Sequence, residues 1–524
     1  MSPFQTLLSV LDRVLAALGL FLLTVASANI INRQYSSHRA ITYPPGPESR
    51  PIFGNTHHIP ANKPWITYAQ WAKQYGSLIH IKDYSKHVII INSFKDAVNL
   101  LEKRSNIYSD RPASIMIKLM GWDFNVGLMP YGDEWRRRRK ILQKYFKKDI
   151  AVVYQPIQTQ KIHDMLRNIL ETPEDFISHY KTQKSSVAAA IIMSCVYGHD
   201  ISRTNDYYVS LSEAAVEKLS ETFFPGAVAV NAIPSLQYIP SWFPGAGFKR
   251  FATKTKDLTD KLQNMPYNHV RENMSQGVAA TSILADLLRE NDARGGSKEV
   301  EDGIKAASAT SYAAGADTTT SNIGTFIYAM TRNPSVQQKA QQEIDNLTGG
   351  QRLPNHDDRN SLPYVEALFR EVMRWRPVLP LGVAHAALND DVYNGYYIPK
   401  GSTVISNIWA MTHDESIYTE PDAFKPERFI NGDGKLNDDD LTFVFGFGRR
   451  ICVGRHMASS TVWLITASIL AVFNIRRDKD ELSNEILPTV DYTDGLVSHP
   501  LPFRCSITPR SDELAKLVME VEIE

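Results

Sequence analysis

Ten residues near the C-terminus, Phe445-Gly446-Phe447-Gly448-Arg449-Arg450-Ile451-Cys452-Val453-Gly454, constrain this chain more than any other stretch. They set one cysteine in a glycine-rich turn beside an arginine pair. A thiolate held this way can be the axial ligand of a haem iron, where it pushes electron density onto the metal and favours cleavage of dioxygen. Gly448 and Gly454 would admit backbone geometry that a Cβ forbids, and close approach to a flat macrocycle. Backbone N–H groups near the sulfur, with Arg450, would stabilise negative charge on a thiolate and on a propionate. A buried structural cysteine in a tight turn is the alternative meaning.

Composition narrows the setting. The 524 residues are 43% hydrophobic with eight tryptophans, enough for a sizeable core, and length alone would allow about three domains. Lys plus Arg and Asp plus Glu both number 57, and this balance argues against nucleic acid as a partner. Three cysteines, Cys195, Cys452 and Cys505, are too few and too odd for a disulfide framework and point to a reducing compartment.

The N-terminus differs in kind. Val14 to Ile31, VLAALGLFLLTVASANII, carries no charge. As a helix it would be about 27 Å long, just enough for a bilayer core. Arg33 and Arg39 follow it, a mild bias toward a cytosolic C-terminal side. Ala26-Ser27-Ala28 leaves a cleaved signal peptide as the alternative. Pro44-Pro45-Gly46-Pro47 then reads as a stiff hinge. The boundaries are an anchor over 1–32, a basic and proline-rich linker over 33–47, and one domain over 48–524.

Within that domain, Leu78–Lys82 and His87–Asn92 predict a hairpin about a turn at Asp83–Lys86. Apolar spacings of three and four predict helices over Phe94–Arg104, Pro334–Leu347 and Tyr364–Arg374, and a long one from about Gly303 to Thr331. Strands return near Asp391–Ile398, about Asn394-Gly395, and near Phe503–Thr508. The reading is a mainly α chain with small sheets. Asn407–Asp414 reads as packing and capping, with no companions for His413 or Asp414 at metal-ligand spacing.

The pattern F-x-x-G-x-R-x-C-x-G, filled by Phe445, Gly448, Arg450, Cys452 and Gly454, resembles the haem-binding loop of the cytochrome P450 superfamily. The resemblance runs from the anchor to about Pro509. It implies a large helical fold around haem b, with Cys452 as the axial ligand of the iron. Ala314-Gly315-Ala316-Asp317-Thr318-Thr319 is similar to the family's oxygen-activating segment. There a mid-helix glycine, costing about 1 kcal/mol against alanine, would mark a local opening. On that mapping Thr318 hydrogen-bonds dioxygen and Asp317 feeds protons from solvent. A plain helix with back-bonded threonines is the other meaning.

Glu371 and Arg374 are three apart on one helix face, usually a solvated pair. The resemblance joins them to Arg428, within Phe424–Phe429, in a buried structural triad. It also makes Trp135 and Arg139 propionate donors, and gives His385 the same role. Arg136, Arg137, Arg138 and Lys140 read either as a solvated face or, with Arg455, as a patch that docks a reductase.

Ile239–Lys249 and Asp391–Gly401 look like a fungal branch rich in secondary-metabolism hydroxylases. The resemblance places pocket walls at Ser114–Phe124, Phe223 and Phe224, Val378–Leu381, and Leu496–Val497. They imply a lipophilic guest, terpenoid or aromatic polyketide. The expected activity is a monooxygenase on the endoplasmic reticulum, facing the cytosol and fed by NADPH through a reductase. A haem-thiolate isomerase or dehydratase without a reductase, and a haem sensor without turnover, are the alternatives.

Overall fold

Five helices frame the site: α1 (Asp133–Phe146), α2 (Val187–Tyr197), α3 (Lys298–Arg332), α4 (Pro363–Trp375) and α5 (Arg455–Val472). The computed structural model describes residues 42–173, 176, 186–202, 206–222, 228–480 and 484–520. The expected anchor span, 14–31, lies outside these residues, as do Phe223 and Phe224. Among the described residues no helix is long and apolar enough to cross a membrane.

Helix α3 has 35 residues, with Glu299 and Glu301 in its first turn and Arg332 in its last, charges that complement the helix dipole. It extends further at its N-terminus than the sequence pattern predicts, because Lys298–Asp302 is charged and shows no apolar period. α2, VAAAIIMSCVY, is buried at every position and ends at Gly198 in the left-handed conformation, φ +63°. α1, α2 and α5 all pack against α3, so that helix is the spine of the main hydrophobic cluster.

The predicted hairpin is present as β1 (Leu78–Asp83) and β2 (Lys86–Ile91), antiparallel, with Asp83 opposite Lys86. β2 then pairs in parallel with β6 (Thr403–Ser406), and β3 (His385–Ala386) closes the sheet on the other side of β6. β4 (Asp391–Tyr393) and β5 (Tyr396–Ile398) form a second hairpin. Asn394 and Gly395 both have positive φ, +51° and +81°, as a tight two-residue turn requires. β7 (Phe473–Lys479) is central in a sheet with β8 (Glu485–Ile486) and β9 (Cys505–Pro509).

Phe94–Arg104 departs from a plain helix. After four α-helical residues capped by Ser93, Val98–Lys103 widens into a π-helical turn. That bulge delivers the Leu101 carbonyl to the cysteine loop described below. Asn407 caps the short helix Ile408–Thr412 and donates its amide to Trp65 O and Asn92 Oδ1.

α4 carries the buried charges of the scaffold. Arg374 Nε and Nη2 donate to both oxygens of Glu371 at 2.7 and 2.8 Å. Arg428 Nε lies 3.1 Å from Glu371 Oε2, and the Lys425 N–H donates to Oε1 at 2.7 Å. Further Arg374 donors reach the carbonyls of Thr412, Pro421 and Ala423. A pair separated by three residues thus meets an arginine over fifty residues away, and pins 412–428 beneath α4.

Candidate active site

The cysteine loop is shaped by backbone contacts. Cys452 N–H donates to Phe445 O at 2.9 Å, which closes the turn. Gly448 has φ +54°, and a Cβ there would stand 2.1 Å from Leu101 O. Its glycine is therefore required by the π-helical bulge, and no macrocycle need be invoked. Gly446 also has positive φ, +88°. Gly454 has an ordinary φ of −83°, and a Cβ on it would meet nothing nearer than Cys452 Sγ at 4.0 Å. Its contribution is to the sulfur: the Gly454 N–H bonds toward Cys452.

Cys452 is open to an internal cavity yet deep below the outer surface, so its exposure is to that cavity. Burial pushes its thiol pKa up, against the Gly454 N–H and the charges of Arg139 and Arg455. Iron would displace that proton, since a coordinating thiol is deprotonated. The cavity is walled by α5 residues such as Met457 and Ala458, by Leu142 and Phe146 of α1, by Ile191 and Ile192 of α2, and by α3. On α3 it reaches Ala314, Gly315, Thr318 and Thr319. Ala314 is exposed although it lies in the middle of a buried helix, which only a cavity explains.

α3 runs unbroken through this stretch, so the expected opening at Gly315 is not seen. A Cβ on Gly315 would come within 3.2 Å of Ile192 Cγ1. Gly315 therefore packs closely against α2 while also lining the cavity. The Thr318 hydroxyl donates to Ala314 O at 2.8 Å, the back-bonded arrangement, while its side chain lines the cavity. Asp317 Oδ1 lies 2.9 Å from His499 Nε2.

At the other side of the cysteine loop lies a buried cationic group. Trp135 is buried and its Nε1 donates to no partner among the described residues. Arg139, one turn on, donates through Nη2 to Ile451 O, and its Nε is likewise buried without a partner. Arg450 gives Nε to Ser109 O at 2.7 Å and Nη2 to Met129 O at 3.0 Å, with its guanidinium 4.4 Å from the Trp135 ring. Its first role is thus to tie two loops to the cysteine turn.

Arg111, which motif reading missed, completes the group. Its Nε donates to Gly127 O and its Nη1 to Val383 O and Ala384 O, at 2.7 to 2.8 Å. Burial, with Arg450 and Arg139 nearby, pulls its pKa well down. Burial likewise lowers Arg450 to about 10. Asp110 is the nearby carboxylate that opposes both shifts.

His385 is anchored through one ring nitrogen. Its Nδ1 is 2.7 Å from Tyr108 O, an acceptor only, so Nδ1 carries the proton. Burial and then Arg111 push its pKa down to about 3. Arg111 beside it is a further donor suited to a carboxylate.

Haem suits these residues. A soft thiol faces a cavity floored by apolar side chains, and three buried guanidinium groups with two unused donors await acidic groups of the kind a propionate supplies. A family model for cytochrome P450 matches residues 44–507. The chain belongs to the cytochrome P450 family. Relatives include a cytochrome P450 monooxygenase of Armillaria gallica, 39% identical over 94% of this chain and 96% of its own length. Another, of Rhodocybe pseudopiperita, is 41% identical over 91% of both chains. A third, of Coprinopsis cinerea, is 36% identical over 97% of this P450 and 99% of its own length. The chain is accordingly an oxygen-incorporating oxidoreductase of the haem-thiolate class.

The other sequence-derived sites divide. Arg136 pairs with Asp133, Arg137 with Glu299 at 2.8 Å, and Arg138 with Glu134. Acidic neighbours therefore offset most of the basic run of this P450, leaving Lys140 as its exposed member with no acidic partner among the described residues. Ser114 and Ile117 line a second cavity with Val88, Leu128, Val383 and Asn231, whereas Val378–Leu381 and Leu496–Val497 line neither. Among the described residues no cluster of three or more His, Cys, Asp or Glu could hold another metal.

Proposed function

We propose that this P450 is a membrane-anchored monooxygenase that inserts one oxygen atom of dioxygen into a lipophilic terpenoid or aromatic polyketide-like molecule in fungal secondary metabolism. The carrying observation is the single cavity that presents Cys452 on one wall and Thr318 on the other. Haem, when bound, supplies the redox centre at which dioxygen is reduced and the substrate oxidised. Cys452 ligates the iron through a thiolate. Arg111, Arg139, Arg450 and Trp135 hold the carboxylates of the macrocycle, and Asp110 balances part of their charge. Thr318 orients a proton toward the cavity and Asp317 supplies it. Leu142, Ile191, Ile192 and Met457 keep the floor dry.

Electrons come from NADPH through a reductase that meets Lys140, Arg449 and Arg455. The uncharged span 14–31 anchors the chain in the endoplasmic reticulum, with the domain from residue 48 in the cytosol. Microsomes carrying the chain and a reductase, incubated with terpenoid and polyketide extracts, should add one oxygen to a lipophilic compound only when NADPH is present. Oxygen addition to polar metabolites alone would overturn the substrate class. Rearrangement of a substrate without NADPH would favour an isomerase.

A further inference from the structure

Asp317, Ser321, Thr325, Tyr328 and Arg332 recur along α3 at spacings of three and four, so they form one stripe on the helix. Each of the five meets the C-terminal segment 488–499, in reverse order. Arg332 Nη1 donates to Pro488 O at 3.0 Å, and the Tyr328 hydroxyl accepts from Val490 N at 3.4 Å. The Tyr492 hydroxyl lies 3.3 Å from Thr325 Oγ1. Ser321 Oγ donates to Ser498 O at 2.6 Å, and His499 Nε2 meets Asp317 Oδ1 at 2.9 Å. The stripe is a register key, and its last position sets an imidazole on the aspartate beside Thr318.

His499 is also fixed from behind. Its N–H donates to Thr493 Oγ1 at 2.9 Å and its carbonyl accepts from Thr493 N at 2.8 Å. Ser498 N–H reaches Val378 O at 2.9 Å. A free surface ion pair contributes little and wanders. This one is 14% and 31% exposed and doubly registered by consecutive residues, Ser498 and His499. The second ring nitrogen, Nδ1, is buried and makes no hydrogen bond among the described residues, so it can take up a proton without breaking an existing bond.

We propose that His499 is the proton donor to Asp317, a relay residue one step outside the pair formed by Asp317 and Thr318. The proposal rests on the reading that this pair manages protons. In the step, the N–H bond at His499 Nε2 breaks and an O–H bond forms on the Asp317 carboxylate. The ring first takes a proton from solvent hydronium at Nδ1, so that loss of the Nε2 proton returns it to neutral, and Asp317 passes the proton it gained toward Thr318. No electrons move.

The test uses the full-length enzyme with a reductase and NADPH, no added substrate, and measures how reduced oxygen divides between peroxide and water. His499→Gln keeps an N–H for Asp317 but no transferable proton. It should raise the peroxide-to-water ratio roughly tenfold or more, within the scale of general acid catalysis. His499→Ala should behave alike. An unchanged ratio in His499→Gln, with Thr318→Ala altered, overturns the donor alone; unchanged ratios in both overturn the proton-handling reading itself. Independently of turnover, the ¹⁵N resonance of His499 Nε2, assigned by its loss in His499→Gln, should move in Asp317→Asn. A resonance that stays in place would show that the two side chains do not meet in solution.

Discussion

Glu371, Arg374 and Arg428 form a cluster around one carboxylate, whereas Arg111, Arg139 and Arg450 face one another with Asp110 as their nearby acid among the described residues. Both groups are buried guanidinium clusters. In the first, both oxygens of Glu371 and the remaining donors of Arg374 are met by protein groups. In the second, Trp135 Nε1 and Arg139 Nε are buried and unpaired, at a cost of about 1–3 kcal/mol each if nothing meets them. One cluster is completed by the chain alone. The other keeps two buried donors without a protein partner among the described residues, and on the proposed function an acidic ligand completes it, which would make it a binding site and the first a joint.

Glu371→Ala should break the first cluster outright. It leaves two guanidinium groups without their carboxylate, at about 3–5 kcal/mol. Urea unfolding of haem-free and haem-loaded protein should show the loss in both forms. Arg111→Met should separate the two clusters by where the larger loss falls. The haem-free protein should lose some stability, since the carbonyls of Gly127, Val383 and Ala384 lose their donor while a repelling charge also goes. Transfer of haem to an acceptor protein should quicken about tenfold or more, the equivalent of a charged hydrogen bond of about 1.5–3 kcal/mol. Equal losses in both forms would make Arg111 a joint as well.

His385 sharpens the contrast through pH. Burial and then Arg111 hold it near 3 in the fold, against about 6.5 when unfolded. The fold binds fewer protons there, so this stability is complete above pH 6.5 and falls steadily as pH drops toward 3. By pH 5 the loss is about 2 kcal/mol. Melting temperatures at pH 7 and pH 5 should differ less in His385→Asn than in the parent. Arg137→Ala is the smallest change. Its exposed pair with Glu299 should contribute under about 0.5 kcal/mol, visible only as a slight shift of the urea midpoint.

How much of this could be read beforehand follows the range of the interactions. The turn at Asn394-Gly395 and the hairpin of β1 and β2 are local, and their residue types declared them. So did the i,i+3 pair Glu371–Arg374, though its meeting with Arg428 needed the family resemblance. Arg111 and His499 were silent because nothing near them in sequence marks what they approach. Arg111 meets Arg450 across some three hundred residues, and His499 meets Asp317 across almost two hundred. Gly448 was read correctly as a position whose backbone a Cβ forbids, while the neighbours that crowd it and Gly315 were not visible. Each makes a contact with another backbone or side chain, the Leu101 carbonyl and Ile192, that one dimension does not show.

The parallel pairing of Val88 with Thr403 has a consequence for synthesis. At about 5–20 residues per second, β2 is made roughly 15 to 60 s before its neighbour β6 exists. During that interval Val88, Ile89, Ile90 and Ile91 form an unpaired apolar edge, the kind of surface that templates aggregation. The small sheet therefore carries an open edge while more than three hundred residues are added. Limited proteolysis of stalled chains ending before Thr403 should cut within 86–91, and chains extended well past Ser406 should resist.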